Sequence, residues 1–158
     1  MKDIVIKAAQ KENIEDILRL LVQVNQVHAD GRPDLFKAGG TKYTHKSLEE
    51  KLAKEDEIIF VAMEDNEVVG YIFCVFEKTE DTVNTYGKKT LYIDDLCVDQ
   101  NHRRKGIGQS LYAHTKNFAK YNGFDRVTLH VWECNPKARM FYESLGMKPM
   151  YTAMEEEL

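Results

Sequence analysis

Three basic residues followed by two spaced glycines make the segment of this chain best suited to holding an anion. It reads Arg103-Arg104-Lys105-Gly106-Ile107-Gly108 and continues into Gln109 and Ser110, where a strand ends and a helix begins. The start of a helix presents unpaired N–H groups and a partial positive charge, which together bind phosphate. Glycine lets a phosphate oxygen approach the main chain without meeting a Cβ, and the three cations add fixed charge beside it. Two familiar phosphate loops are excluded. A dinucleotide loop needs a third glycine three residues after Gly108, where Leu111 stands, and a P-loop needs Gly-Lys-Ser/Thr after four spacers. On its two glycines alone, the segment reads equally well as a plain helix start with a solvated basic turn.

Other residues here could do proton chemistry or shape a site. Asp94 and Asp95 are adjacent on a strand, and strand alternation predicts that their side chains point to opposite faces, one of them toward a cleft. Tyr92 lies two residues before Asp94 on the same face, placed to orient a water. Asn135-Pro136 has the form of a helix N-cap followed by proline at the first helical position. Tyr142 falls within that helix, one turn before Gly146. The three cysteines, Cys74, Cys97 and Cys134, are widely spaced among apolar neighbours, which predicts buried, reduced thiols. No pair has the short spacing of a zinc site, so no metal is expected.

The elements that must position these residues follow from periodicity. Ile4-Val5-Ile6 reads as a first strand, residues 13–28 as an amphipathic helix, 29–44 as a long loop and 45–54 as a second helix. Residues 57–63 and 68–76 form a hairpin about Asp65-Asn66. A polar stretch, 78–89, returns the chain to a fourth strand, 90–98. A helix over 105–120, a fifth strand over 126–131, a helix over 136–145 and a last strand over 147–154 complete the order. The 158 residues suit one domain, 1–158, of mixed α/β class. Its sheet is mostly antiparallel with helices on both faces, because a run of strands separates the helix-flanked ones.

The net charge of −4 provides no global basic field, and the aromatics lack a basic single-strand platform, so a nucleic-acid partner is not expected. No apolar run approaches the roughly 18 residues of a membrane helix, and no signal-peptide pattern is present. With the cysteine usage, this predicts a cytoplasmic protein without a membrane partner. No Gly-x-Ser-x-Gly or His-Glu-x-x-His motif supports a hydrolase.

Arg103-x-x-Gly106-x-Gly108 after the strand Leu96-Cys97-Val98 closely resembles the CoA-binding motif of the GNAT N-acetyltransferase superfamily. Asn135, Ala138, Arg139, Phe141-Tyr142 and Gly146-Met147 resemble the family's second signature, and the element order matches over nearly the whole chain. Arg104 stands where the family often has glycine, and Met147 where it has phenylalanine.

The resemblance implies acetyl transfer from acetyl-CoA to a primary amine, by direct attack in a ternary complex. The acceptor could be a small amine, an antibiotic, a peptide N-terminus or a lysine. It implies that Leu96, Cys97 and Val98 pair with the pantetheine arm as an added half-strand. The pyrophosphate would sit on the amides of Arg104, Lys105, Gly106, Ile107, Gly108 and Gln109, with Arg103 beside them, a hydroxyl from Ser110 and a contact from Asn135. Tyr142 matches the tyrosine that protonates the leaving sulfur. Asp94 matches an acidic residue four positions before the strand-end Val98 and is the implied base, with Asp95 or a water-mediated route as alternatives. Glu133 could line the acceptor side, as could His28, Asp30, Asp34 and Tyr43 from the first helix and the loop after it. Homodimerisation is a family-level expectation. A non-catalytic acyl-CoA sensor on the same fold is the alternative, and a nucleotide-phosphate binder a third reading.

Overall fold

The computed structural model describes residues 3–158. Among these, five strands, β1 (Val5–Ala8), β2 (Glu57–Glu64), β3 (Glu67–Thr79), β4 (Lys88–Val98) and β5 (Arg126–Leu129), lie side by side in chain order. The first four are antiparallel, and only β4 and β5 run parallel. Among the described residues, four α-helices accompany them: α1 (Ile14–Gly31), α2 (His45–Leu52), α3 (Ile107–Tyr121) and α4 (Pro136–Ser144). The expected mixed sheet with helices on both faces is what forms.

The β2–β3 hairpin turns at Asp65 and Asn66, both at positive φ (48° and 68°), the geometry that matches strand twist. Central β3 is buried over Val68–Cys74, and its side chains serve both faces. Val68, Tyr71 and Phe73 meet Ile14, Ile17, Leu21 and Leu48 of α1 and α2. Val69, Ile72 and Cys74 join Ile107 and Leu111 of α3 in the cluster on the other face. The helical spacing of these apolar residues is thus explained by one sheet with a layer on each side.

Two features of β4 position the site. First, its parallel pairing with β5 spans only Thr90–Ile93 against Arg126–Leu129, although β4 continues to Val98. The edge facing β5 is therefore unpaired over residues 94–98, and the strands open into a wedge. Second, opposite β3, Cys74 pairs with Ile93 and Phe73 with Asp95, so Asp94 is an extra residue, a β-bulge. A bulge interrupts alternation. Asp94 and Asp95 consequently both face the α1–α2 layer, where Tyr43 and Tyr71 bond to them, and the expectation of opposite faces is overturned.

Other boundaries differ from those the sequence suggests. Residues 147–154 form no strand: Pro149 lacks an N–H for a ladder, and this tail is tethered by side chains instead. The tethers are Tyr151 on His130 at 3.1 Å and Glu155 on Arg32 at 2.7 Å. β3 and β4 extend as a paired hairpin to Thr79 and Lys88, which shortens the polar connection between them. Cys74 and Cys97 are buried but Cys134 is exposed, because it sits in the turn closed by the Asn135 N–H on the Trp132 carbonyl. Among the described residues, no helix is long and apolar enough to cross a membrane.

Candidate active site

At the open end of the wedge the chain turns through Gln100–His102 and enters α3. Arg104 and Gly106 are both left-handed, at φ 63° and 78°. Gly106 adopts this freely. Arg104 does so at a steric cost that a glycine would not carry. The two left-handed residues delay the helix to Ile107, not Lys105. Among the described residues, Ser110 is the first donor of this segment with a main-chain acceptor, the Gly106 carbonyl at 3.0 Å. The amides of Ile107, Gly108 and Gln109 are left unpaired, as at any helix start. Gly106, Gln109 and Ser110 are exposed, as are Arg103, Arg104 and Lys105, so no side chain seals the turn. Gly108 serves packing as well: a Cβ there would lie 3.1 Å from Phe141 Cζ of α4.

The turn is anchored from behind. Asp99, 3% exposed, accepts from Arg19 and Gln23 of α1, each at 3.2 Å, and from the Asn101 N–H. His102 bridges from Asp99 to Glu64 at 3.3 and 3.1 Å. Arg103 Nε folds back onto the Val98 carbonyl at 3.2 Å. Burial alone would raise the Asp99 carboxyl, but its donors outweigh this and hold it below the ordinary 3.8. Its contribution is therefore complete above that pH and fades as pH falls through the lowered value. Asp99→Ala is expected to cost about 1–3 kcal/mol at neutral pH, seen as a lower melting temperature.

Inside the wedge lie the two carboxylates. Asp95 accepts from the Tyr71 hydroxyl at 3.0 Å, and burial pushes its carboxyl up to about 6. Burial also acts on Asp94, but the Tyr43 hydroxyl and the Lys42 ammonium at 2.9 Å reverse it and hold that carboxyl low. On α4, Tyr142 is partly buried. Burial raises its phenol, the Asp95 carboxylate adds to the shift, and the hydroxyl stays protonated. Cys97 is buried, its thiol pushed up to about 12 by burial, with Sγ on the Leu20 carbonyl at 3.6 Å. Its main-chain groups turn toward β3, as the Asp99 N–H does in bonding the Val69 carbonyl, whereas those of Leu96 and Val98 turn to the edge facing β5, where the Val98 carbonyl accepts from Arg103. Asn135 caps α4 through the Ala138 N–H at 3.2 Å.

A family model described as the acetyltransferase (GNAT) family matches residues 23–147. The chain belongs to that family. It is 33% identical over 100 residues to the uncharacterized N-acetyltransferase YhfO of Bacillus subtilis, covering 63% of this chain and 64% of that one. The GNAT chain thus spans just under two thirds of that relative's length. The tetramutant of the BH1408 protein from Bacillus halodurans superposes with a TM-score of 0.93 at 28% identity, over 98% and 99% of the two chains. An aminoglycoside N-acetyltransferase solved in complex with CoA has a TM-score of 0.73 at 16% identity, over 100% and 96%, a likeness of fold.

Several residues of this GNAT site escape a reading of the sequence. Tyr71 and Lys42 reach the carboxylates only through the fold. His130, the first β5-side residue past the paired segment, lies 3.3 Å from the Tyr92 hydroxyl through Nδ1 and 3.1 Å from Tyr151 through Nε2. A signal for His130 exists: Thr128 and His130 are the polar members of an alternating run with Val127, Leu129 and Val131. Of the proposed acceptor-side residues, Tyr43 does join the wedge. Asp34 pairs with Arg32 at 2.7 Å, Asp30 accepts from Gln26 at 2.7 Å and Glu133 pairs with Arg139 at 3.3 Å. His28 packs on Phe36, which meets Trp132 edge-on.

Proposed function

We propose that this protein transfers the acetyl group of acetyl-CoA to a primary amine. The observation that carries this reading is the wedge itself. Its unpaired β4 edge leads from two carboxylates and a tyrosine hydroxyl directly to open amides at a helix start. The residues fit the cosubstrate: the edge-facing main-chain groups of Leu96 and Val98, either side of Cys97, suit an amide-bearing arm, and the amides of Ile107, Gly108 and Gln109 suit a diphosphate. The CoA bound by the aminoglycoside acetyltransferase of the same fold is consistent with this. When bound, acetyl-CoA supplies an activated acyl group on a thiol of ordinary acidity.

In this reading Asp95 receives the proton of the incoming ammonium, since burial outweighs the pull of the Lys42 ammonium, which is bonded to Asp94 instead. A carboxyl near 6 is ionised at neutral pH yet basic enough to take part in proton transfer. Asp94, with Tyr43, holds the ammonium in place. Tyr142 donates a proton to the sulfur as it leaves. The wedge walls exclude water from the thioester, and His130 between Tyr92 and Tyr151 offers an outlet for the proton. The acceptor enters between the 32–44 loop and the C-terminal tail.

Thiol release from acetyl-CoA across a panel of amines tests this. Stabilisation by CoA with no turnover of any amine would favour a sensor on the same fold, and stronger stabilisation by ATP than by CoA would favour a nucleotide binder. Tyr142→Phe is expected to lower turnover about a hundredfold with cofactor affinity nearly unchanged. Intact turnover in that variant would leave Tyr142 a packing residue.

A further inference from the structure

An amine belonging to the chain already stands on the acceptor side of the wedge. Lys42 Nζ lies 2.9 Å from Asp94 Oδ1, and its charge also acts on Asp95. The loop that carries it is held in place: Tyr43, the next residue, bonds the other oxygen of Asp94 and packs edge-on against Phe73 at 5.4 Å. The Lys42 side chain is 49% exposed, half engaged with the carboxylate and half open to solvent. Lys51, 4.7 Å from the Tyr43 ring centroid, is bound differently. Its ammonium pairs with Glu57 at 2.5 Å, at the start of β2. Lys42 is the lysine whose ammonium rests where the proposed reaction needs an amine.

We propose that Lys42 is a self-acetylation site, taking the acetyl group in cis at Nζ. This rests on the acetyltransferase reading above. The Lys42 ammonium passes a proton to the Asp95 carboxylate and thence to solvent. The freed electron pair on Nζ forms a bond to the acetyl carbon, and the nitrogen then gives a second proton to water. The carbon–sulfur bond breaks with its electrons on sulfur, and the Tyr142 hydroxyl supplies the thiolate with a proton that Tyr142 regains from water. The products are an amide at Lys42, free CoA thiol and one released proton. The amide carries no charge, so Asp94 keeps the Tyr43 hydroxyl but loses its ion pair.

The test is incubation with acetyl-CoA bearing a heavy-isotope acetyl group, followed by intact-mass and peptide mass spectrometry. One heavy acetyl per chain is expected, at Lys42, and none at that peptide in Lys42→Arg. The labelling rate is expected to be unchanged on about tenfold dilution of the protein, because a tethered amine has a fixed local concentration. Tyr142→Phe is expected to slow it about a hundredfold. Label spread evenly over surface lysines, a rate that falls with dilution, or a rate indifferent to Tyr142→Phe would overturn the proposal. An amine panel run in parallel separates the two claims. Amine turnover with unlabelled Lys42 overturns self-acetylation alone, and neither turnover nor label overturns both.

Discussion

Asp95→Asn is expected to lose about a thousandfold in turnover while melting at a higher temperature than the parent. The activity loss follows from removing the proton acceptor, a contribution typically of about 10²–10⁴-fold. The stability gain follows from linkage. The folded value of about 6 stands above the ordinary 3.8, so the folded protein prefers the protonated carboxyl. No penalty exists below pH 3.8. It grows as pH rises through that window and is complete above about 6, where it reaches up to about 3 kcal/mol. Asparagine keeps an oxygen for the Tyr71 hydroxyl and carries no charge to desolvate. The rate profile of the parent should therefore bend near pH 6, and the variant should lack that limb. Turnover preserved in Asp95→Asn would move the proton acceptor elsewhere, with His130 next in line. A lower melting temperature would place Asp95 among the stabilising polar pairs.

Gly108→Asp is expected to weaken acetyl-CoA binding by at least about a hundredfold, since like charges held together cost several kcal/mol. The new carboxylate would lie at the unpaired amides of Ile107, Gly108 and Gln109 and compete for them with a diphosphate. The substitution also brings a Cβ within 3.1 Å of Phe141 Cζ. Gly108→Ala separates the two effects, because it introduces the same Cβ without charge, and a loss below about tenfold is expected from a tilted ring. Titration calorimetry on variants shown to be folded reads both. Equal losses in the two variants would mean that packing against Phe141, not anion binding, fixes glycine at this position.

Most elements could be read along the chain because their signals are local. Asp65-Asn66 announced the hairpin, and the spacing of Ile14, Ile17 and Leu21 announced a one-sided helix. The glycine loop was legible because positive φ and open amides depend on a few consecutive residues. The wedge was not. Where β5 stops pairing depends on the turn through Trp132 and Asn135, and the surplus residue at Asp94 alters no composition that a pattern could register. Alternation then assigned Asp94 and Asp95 to opposite faces when the fold puts them on one. Their environments also diverge through distant partners: Tyr71 is 24 residues from Asp95, and Lys42 is 52 from Asp94. The last strand failed for a related reason. The apolar residues Met147, Met150, Tyr151 and Met154 state a tendency, but Pro149 withholds a donor and Tyr151 and Glu155 find side-chain tethers instead.

The bulge at Asp94 has one more implication. Which face a strand residue occupies is a matter of parity, and parity has no intermediate values. Excising Asp94 would leave Asp95 opposite Phe73 on the α1–α2 side, remove the carboxylate that holds Tyr43 and Lys42, and allow β4 to run flush alongside an extended β5, exchanging a jaw for a seam. A pocket assembled from many side chains can be worn down by degrees; this one would vanish in a single step, with nearly every atom of the core still in place.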